Sequence, residues 1–148
     1  MTLPPLHRTK NGPLRLKRKG PLFFGKAVPK GFLVRTEQPI TCLDSEPEPD
    51  LAVVRGEIAQ FRRAHPRTAE LLIEVCVTSA DYDRSKLRAY ARANVKECWL
   101  VLEPERQMEI HRQPSGDQFM ERIVHGPGGH VVSAVFPGLT LDLSTIFG

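Results

Sequence analysis

Seven consecutive residues, Leu71-Leu-Ile-Glu-Val-Cys-Val77, form an apolar run with a single charge at its centre. They constrain the fold more than any other segment. A continuous apolar run of this length is the pattern of a strand buried on both faces. Period-two alternation places Leu72, Glu74 and Cys76 on one face and Leu71, Ile73, Val75 and Val77 on the other. Thr78-Ser-Ala-Asp81 then offers a cluster of helix N-cap residues. Residues 81–93 read as a helix with Leu87, Tyr90 and Ala91 on its inner stripe. Asn94 suits the left-handed position that ends a helix. Cys98-Trp-Leu-Val-Leu102 is a second buried strand. A strand–helix–strand unit of this length predicts that strands 71–77 and 98–102 run parallel.

The flanking sequence adds antiparallel elements. A strand-like run extends from Phe32 to Leu43, broken by Pro39, and Leu51–Val54 is a short buried strand. Residues 57–68 read as a polar loop with about one helical turn. Met108–Arg112 and Phe119–Val124 alternate around the turn Pro114-Ser-Gly-Asp117, which predicts a C-terminal hairpin. Gly126–Gly129 is a further turn, and Val131-Val132 and Leu139–Leu141 are short strands. The expected class is α/β, with an α+β mixed sheet. The 148 residues suggest one folded domain that can bury a core without disulfides or structural metal.

Charge separates the chain into two parts. Residues 1–30 hold eight basic residues and no acidic one, punctuated by five prolines. They read as an irregular basic arm in which Leu14–Leu16 could be a short strand, and the folded domain is expected from 31 to 148. Beyond residue 30 lie 13 basic and 17 acidic residues, so the net charge of +4 belongs to the arm. Such an arm can gather phosphates by counterion release. The plainer reading is a solvated terminus. Cys42, Cys76 and Cys98 lack the spacing of a zinc ribbon and read as buried thiols in a reducing, cytoplasmic setting. No apolar stretch approaches a membrane span, and the first residues lack the apolar core of a signal peptide.

Glu74 is the anomaly to explain. A carboxylate inside an apolar strand is costly unless it is paired, hydrogen-bonded or metal-bound. Asp50 immediately precedes a second buried strand. Two acids on neighbouring strand ends can converge on a hard cation such as Mg²⁺. Lys86, in the following helix, could stabilise developing charge or orient a nucleophile. Each residue also has a plain structural role open to it. Glu74 could be a buried partner of Lys86 or an arginine, Asp50 a turn or cap aspartate, and Lys86 a surface residue paired with Asp83. His7, His65, His111, His125 and His130 lack metal-ligand spacing. Ser79 lacks a nucleophile elbow and fits an N-cap better. Trp99 reads as core.

The segments Glu46-Pro-Glu-Pro-Asp50-Leu-Ala-Val-Val-Arg-Gly56, Leu72-Ile-Glu74-Val75, Ser79, Tyr82-Asp83-Arg-Ser-Lys86-Leu-Arg-Ala-Tyr90-Ala-Arg-Ala93 and Glu97-Cys-Trp99-Leu-Val101 occur in a characteristic order. With the closing Phe136-Pro-Gly-Leu139 and Ile146-Phe147, they resemble the Uma2 (DUF820) family from about Gly31 to the end. The resemblance implies a restriction-endonuclease-like core of the PD-(D/E)xK kind, a mixed sheet flanked by helices. It implies a Mg²⁺- or Mn²⁺-dependent endonuclease acting on DNA phosphodiesters, with catalytic residues Asp50, Glu74 and Lys86. The metal ligands would be Asp50, Glu74 and the Val75 carbonyl, and a homodimer is a further implied assembly. Two departures stand out. Cys76 occupies the place of the superfamily's lysine, so Lys86 must supply that charge. Residues 1–30 do not resemble the family's usual amino-terminal region, which leads to the expectation of a shortened or divergent one. The alternative is a catalytically inactive remnant of the fold that binds nucleic acid or serves as an interaction module.

Overall fold

The computed structural model describes residues 28–78 and 84–147, together with the backbone of residues 6–8 and 14–16. Its centre is a six-stranded mixed sheet ordered β3 (Phe32–Thr36), β4 (Leu51–Arg55), β5 (Leu71–Cys76), β6 (Glu97–Leu102), β7 (Gln107–Ser115) and β8 (Gln118–His125). The β5–β6 pair is parallel, with Leu71 opposite Glu97 and Cys76 opposite Leu102. The other four pairings are antiparallel. The helix α1 (Arg84–Arg92) makes the crossover. Residues 79–83, which contain most of the expected N-cap cluster, lie outside the described residues.

The alternation read from the sequence assigns side chains to the correct faces. One face carries Leu51, Val53, Leu71, Ile73, Val75, Trp99, Val101, Met108 and Ile110. It is covered by the C-terminal ribbon of β9 (His130–Val132) and β10 (Thr140–Asp142), and by the single turn α2 (Ser144–Phe147). The other face carries Ala52, Val54, Leu72, Cys76, Cys98, Leu100 and Leu102, and α1 packs on it through Tyr90, Ala89 and Leu87. The mixed sheet expected from the family resemblance is present, with α1 on one face and the β-ribbon on the other. Fully burying a Leu, Ile or Val contributes about 1.5–3 kcal/mol. The two apolar layers therefore hold the sheet without disulfides, and all three cysteines are free and buried.

The end of α1 follows from Asn94. Its φ of 62° is left-handed, which Asn tolerates better than most residues. The Val95 amide donates to the Tyr90 carbonyl at 3.0 Å and the Asn94 amide to that of Ala91 at 2.9 Å. This is a Schellman stop, and the buried Val95 side chain completes it. It also locks the position of Tyr90.

Several boundaries differ from those expected. Regular pairing of β3 ends at Thr36, and residues 37–50 form a hydrogen-bonded loop. The hairpin turn is shorter than expected: Pro114 pairs with Phe119 inside the ladder, leaving the turn to Gly116 and Asp117. A proline has no amide to donate, so it enters a ladder only where that donor is not needed. Near the amino terminus, Leu6–Arg8 and Leu14–Leu16 pair antiparallel as β1 and β2, so an element also forms where only irregular chain and one possible strand were expected. Residues 58–61 form one 3-10 turn in the predicted polar loop.

Candidate active site

The site arises where the β4–β5 ladder stops. Register pairs Leu51 with Ile73, so Asp50 stands opposite Glu74 and Pro49 opposite Val75. Pro49 has no amide hydrogen and cannot extend the ladder. Side chains take over from backbone at this point. The Val75 amide donates to Asp50 Oδ2 at 2.8 Å, and the Asp50 amide donates to Glu74 Oε1 at 3.0 Å. This reciprocal clasp holds two carboxylates at the ends of adjacent strands. In a strand, a residue's N–H and C=O leave on the same edge. The Val75 carbonyl therefore lies on the edge that carries the acid pair.

Lys86 Nζ reaches Glu74 Oε2 at 3.5 Å from the first half of α1. Its side chain is 46% exposed, whereas that of Glu74 is 10% exposed. The lysine thus compensates the buried acid only weakly. Burial raises the Glu74 carboxyl to about 7, and the neighbouring Asp50 charge pushes in the same direction against the opposing pull of Lys86. Two like charges held together in a partly dry setting are under electrostatic strain that a cation relieves. Among the described residues, no group of three or more His, Cys, Asp or Glu side chains converges to form a fuller ligand cluster. Two carboxylates and a carbonyl nevertheless fit Mg²⁺, which normally retains several waters. The donor chemistry and the electrostatics are both suited to a hard divalent cation.

The structure therefore brings together Asp50, Glu74 and Lys86, and it places the Val75 backbone at the same edge. Cys76 points from the face of Glu74 into a cavity of about 310 Å³ lined also by Thr78, Arg84, Leu102, Glu105, Gln107 and Glu109. The position of the superfamily's lysine is thus occupied by a small buried thiol. Helix α1 carries Arg84, Lys86, Arg88 and Arg92, with no acidic residue.

Three polar features escaped the sequence reading. Glu97 is fully buried on the opposite face, where it accepts from Arg112, Ser133, the Trp99 indole and the amides of Ala134 and Val135. It ties β6 to the segment leading into the C-terminal ribbon. Glu109 and His111 are buried on the α1 face and joined at 2.8 Å, and Arg122 bonds the second Glu109 oxygen at 2.8 Å. Burial raises Glu109, but its bonds to Arg122 and His111 outweigh this and hold it below the usual range. Burial lowers His111. The third feature is Tyr90, read from sequence as core, whose buried hydroxyl lies beside Glu74. The only available signal was a charge or hydroxyl within an apolar period.

The mixed sheet with its parallel β5–β6 crossover through α1 is a restriction-endonuclease-like arrangement. Comparison with known proteins agrees. The Uma2 family model, described as "Putative restriction endonuclease", matches residues 21–144, and the chain belongs to the Uma2 family. The match begins ten residues before the point at which the sequence resemblance starts. A crystal structure of a "putative nuclease belonging to DUF820" from Anabaena variabilis superposes with a TM-score of 0.62 at 20% identity. The alignment covers 80% of this chain and 69% of that one, and it supports the shared fold. No curated protein matches.

Proposed function

We propose that the protein is a divalent-cation-dependent endonuclease that hydrolyses DNA phosphodiester bonds. The observation that carries this reading is the Asp50–Glu74 clasp. The two carboxylates stand side by side on adjacent strand ends, and the lysine at the Glu74 oxygen is half exposed. Asp50, Glu74 and the Val75 carbonyl would hold Mg²⁺ or Mn²⁺. When bound, the ion supplies Lewis-acid polarisation of the phosphodiester and a more acidic water.

The remaining work falls to the chain itself. Asp50 and Glu74 are oriented by backbone amides of each other's strands, so their geometry is set before substrate arrives. Lys86 holds a positive charge at the Glu74 oxygen farther from the clasp, where it can stabilise charge building on the phosphate or orient a water. The basic surface of α1 would meet the backbone of the nucleic acid.

The test is cleavage of supercoiled plasmid with Mg²⁺ or Mn²⁺. Nicking by the wild type should disappear with EDTA and in Asp50→Asn. A folded wild type that cuts no duplex DNA with either ion would contradict the reading and favour the inactive, nucleic-acid-binding form of the fold.

A further inference from the structure

Tyr90 is fully buried in the layer between α1 and the sheet. Its hydroxyl has no hydrogen-bond partner among the described residues. Buried polar atoms without partners are rare and cost about 1–3 kcal/mol each. Phenylalanine would fill the same volume without that cost. The presence of tyrosine here therefore calls for a partner close to its hydroxyl.

The surroundings identify that partner. Lys86 and Tyr90 are four residues apart on α1, so they project from one helix face. Lys86 is already directed at Glu74. The Tyr90 hydroxyl lies beside the Glu74 carboxylate. A phenol hydroxyl has one hydrogen to donate. Each Glu74 oxygen accepts one bond, from the Asp50 amide and from Lys86, and a carboxylate has about four acceptor positions. Room remains for a cation and for one further donor. The Schellman stop holds Tyr90 in place through its own carbonyl.

We infer that Tyr90 is a positioning residue, whose hydroxyl donates to the Glu74 carboxylate when Glu74 and Asp50 hold a divalent cation. The inference rests on the metal-site reading above. Tyr90 itself touches neither metal nor substrate. It would fix the rotamer of one ligand and support its charge, as donors behind metal ligands commonly do.

The experiment is calorimetric titration of Mn²⁺ into the wild type, Tyr90→Phe and Glu74→Ala, with urea unfolding of the metal-free proteins. Tyr90→Phe should weaken Mn²⁺ binding by about 10-fold, the lower end of such effects. Its metal-free stability should stay equal to the wild type or rise, because no bond is lost. Unchanged Mn²⁺ affinity in Tyr90→Phe would overturn the inference, and so would a loss of affinity matched by a loss of metal-free stability. Mn²⁺ binding that is absent from the wild type, or unaffected in Glu74→Ala, would instead refute the metal site itself.

Discussion

Glu74 and Glu97 make an internal comparison. Both are glutamates in six-residue strands that are buried throughout, and those strands are parallel neighbours. They face opposite sides of the sheet. Glu97 is surrounded by donors: a guanidinium, a hydroxyl, an indole and two amides. Glu74 receives one amide and one distant, half-exposed lysine, and it has another acid as a neighbour. Burial alone therefore does not mark a functional acid. The protein surrounds Glu97 with donors, whereas Glu74 has a half-exposed lysine and a second acid beside it.

The same substitution at the two positions should have opposite effects on stability. Glu97→Gln takes the charge from Arg112 and turns an amide donor toward other donors. It should cost about 3 kcal/mol or more, as expected for breaking a buried pair. Glu74→Gln removes a strained charge and should raise metal-free stability at pH 8 by about 2 kcal/mol, within the limit set by its upward shift. Urea unfolding measures both, and equal losses at the two sites would break the comparison.

The pH dependence sharpens it further. An acid raised from its ordinary value to about 7 binds a proton in the folded state that the unfolded chain has released. The stabilising contribution of protonated Glu74 is present below about pH 4.5. It is lost as pH rises through 7, at up to about 1.4 kcal/mol per unit. The metal-free wild type should therefore lose stability across that window, and Glu74→Gln should lose less. Parallel pH profiles for the two proteins would contradict the assignment.

Lys86→Met should show the smallest change in stability, under about 1 kcal/mol, because the pair is half exposed. Its plasmid cleavage should nevertheless be abolished. Retained cleavage would remove Lys86 from the site.

The sheet, its parallel pair and both of its faces were legible because Leu71–Val77 and Cys98–Leu102 carry strong periodic signals. Asn94 announced the end of the helix through its left-handed preference. Asp50, Glu74 and Lys86 were legible as an acid in an apolar strand, an acid before the next strand, and a lysine in the crossover. The clasp was not, because it depends on register: one residue of slip would move Asp50 away from Glu74. Glu97 was overlooked because three of its five donors, Ser133 and the two amides that follow, lie more than thirty residues away. The C-terminal ribbon was seen as two short strands, but nothing local told that they would cover a whole face. Pro114 was placed in a turn by its residue type, whereas the ladder tolerates it.

The central claim is that Asp50 and Glu74 form one cation site, and Mn²⁺ titration of the wild type beside Glu74→Ala tests it most directly. A single site in the folded wild type, lost in a folded Glu74→Ala, is the predicted result. Equal heats in the two proteins, or none in either, would contradict the claim.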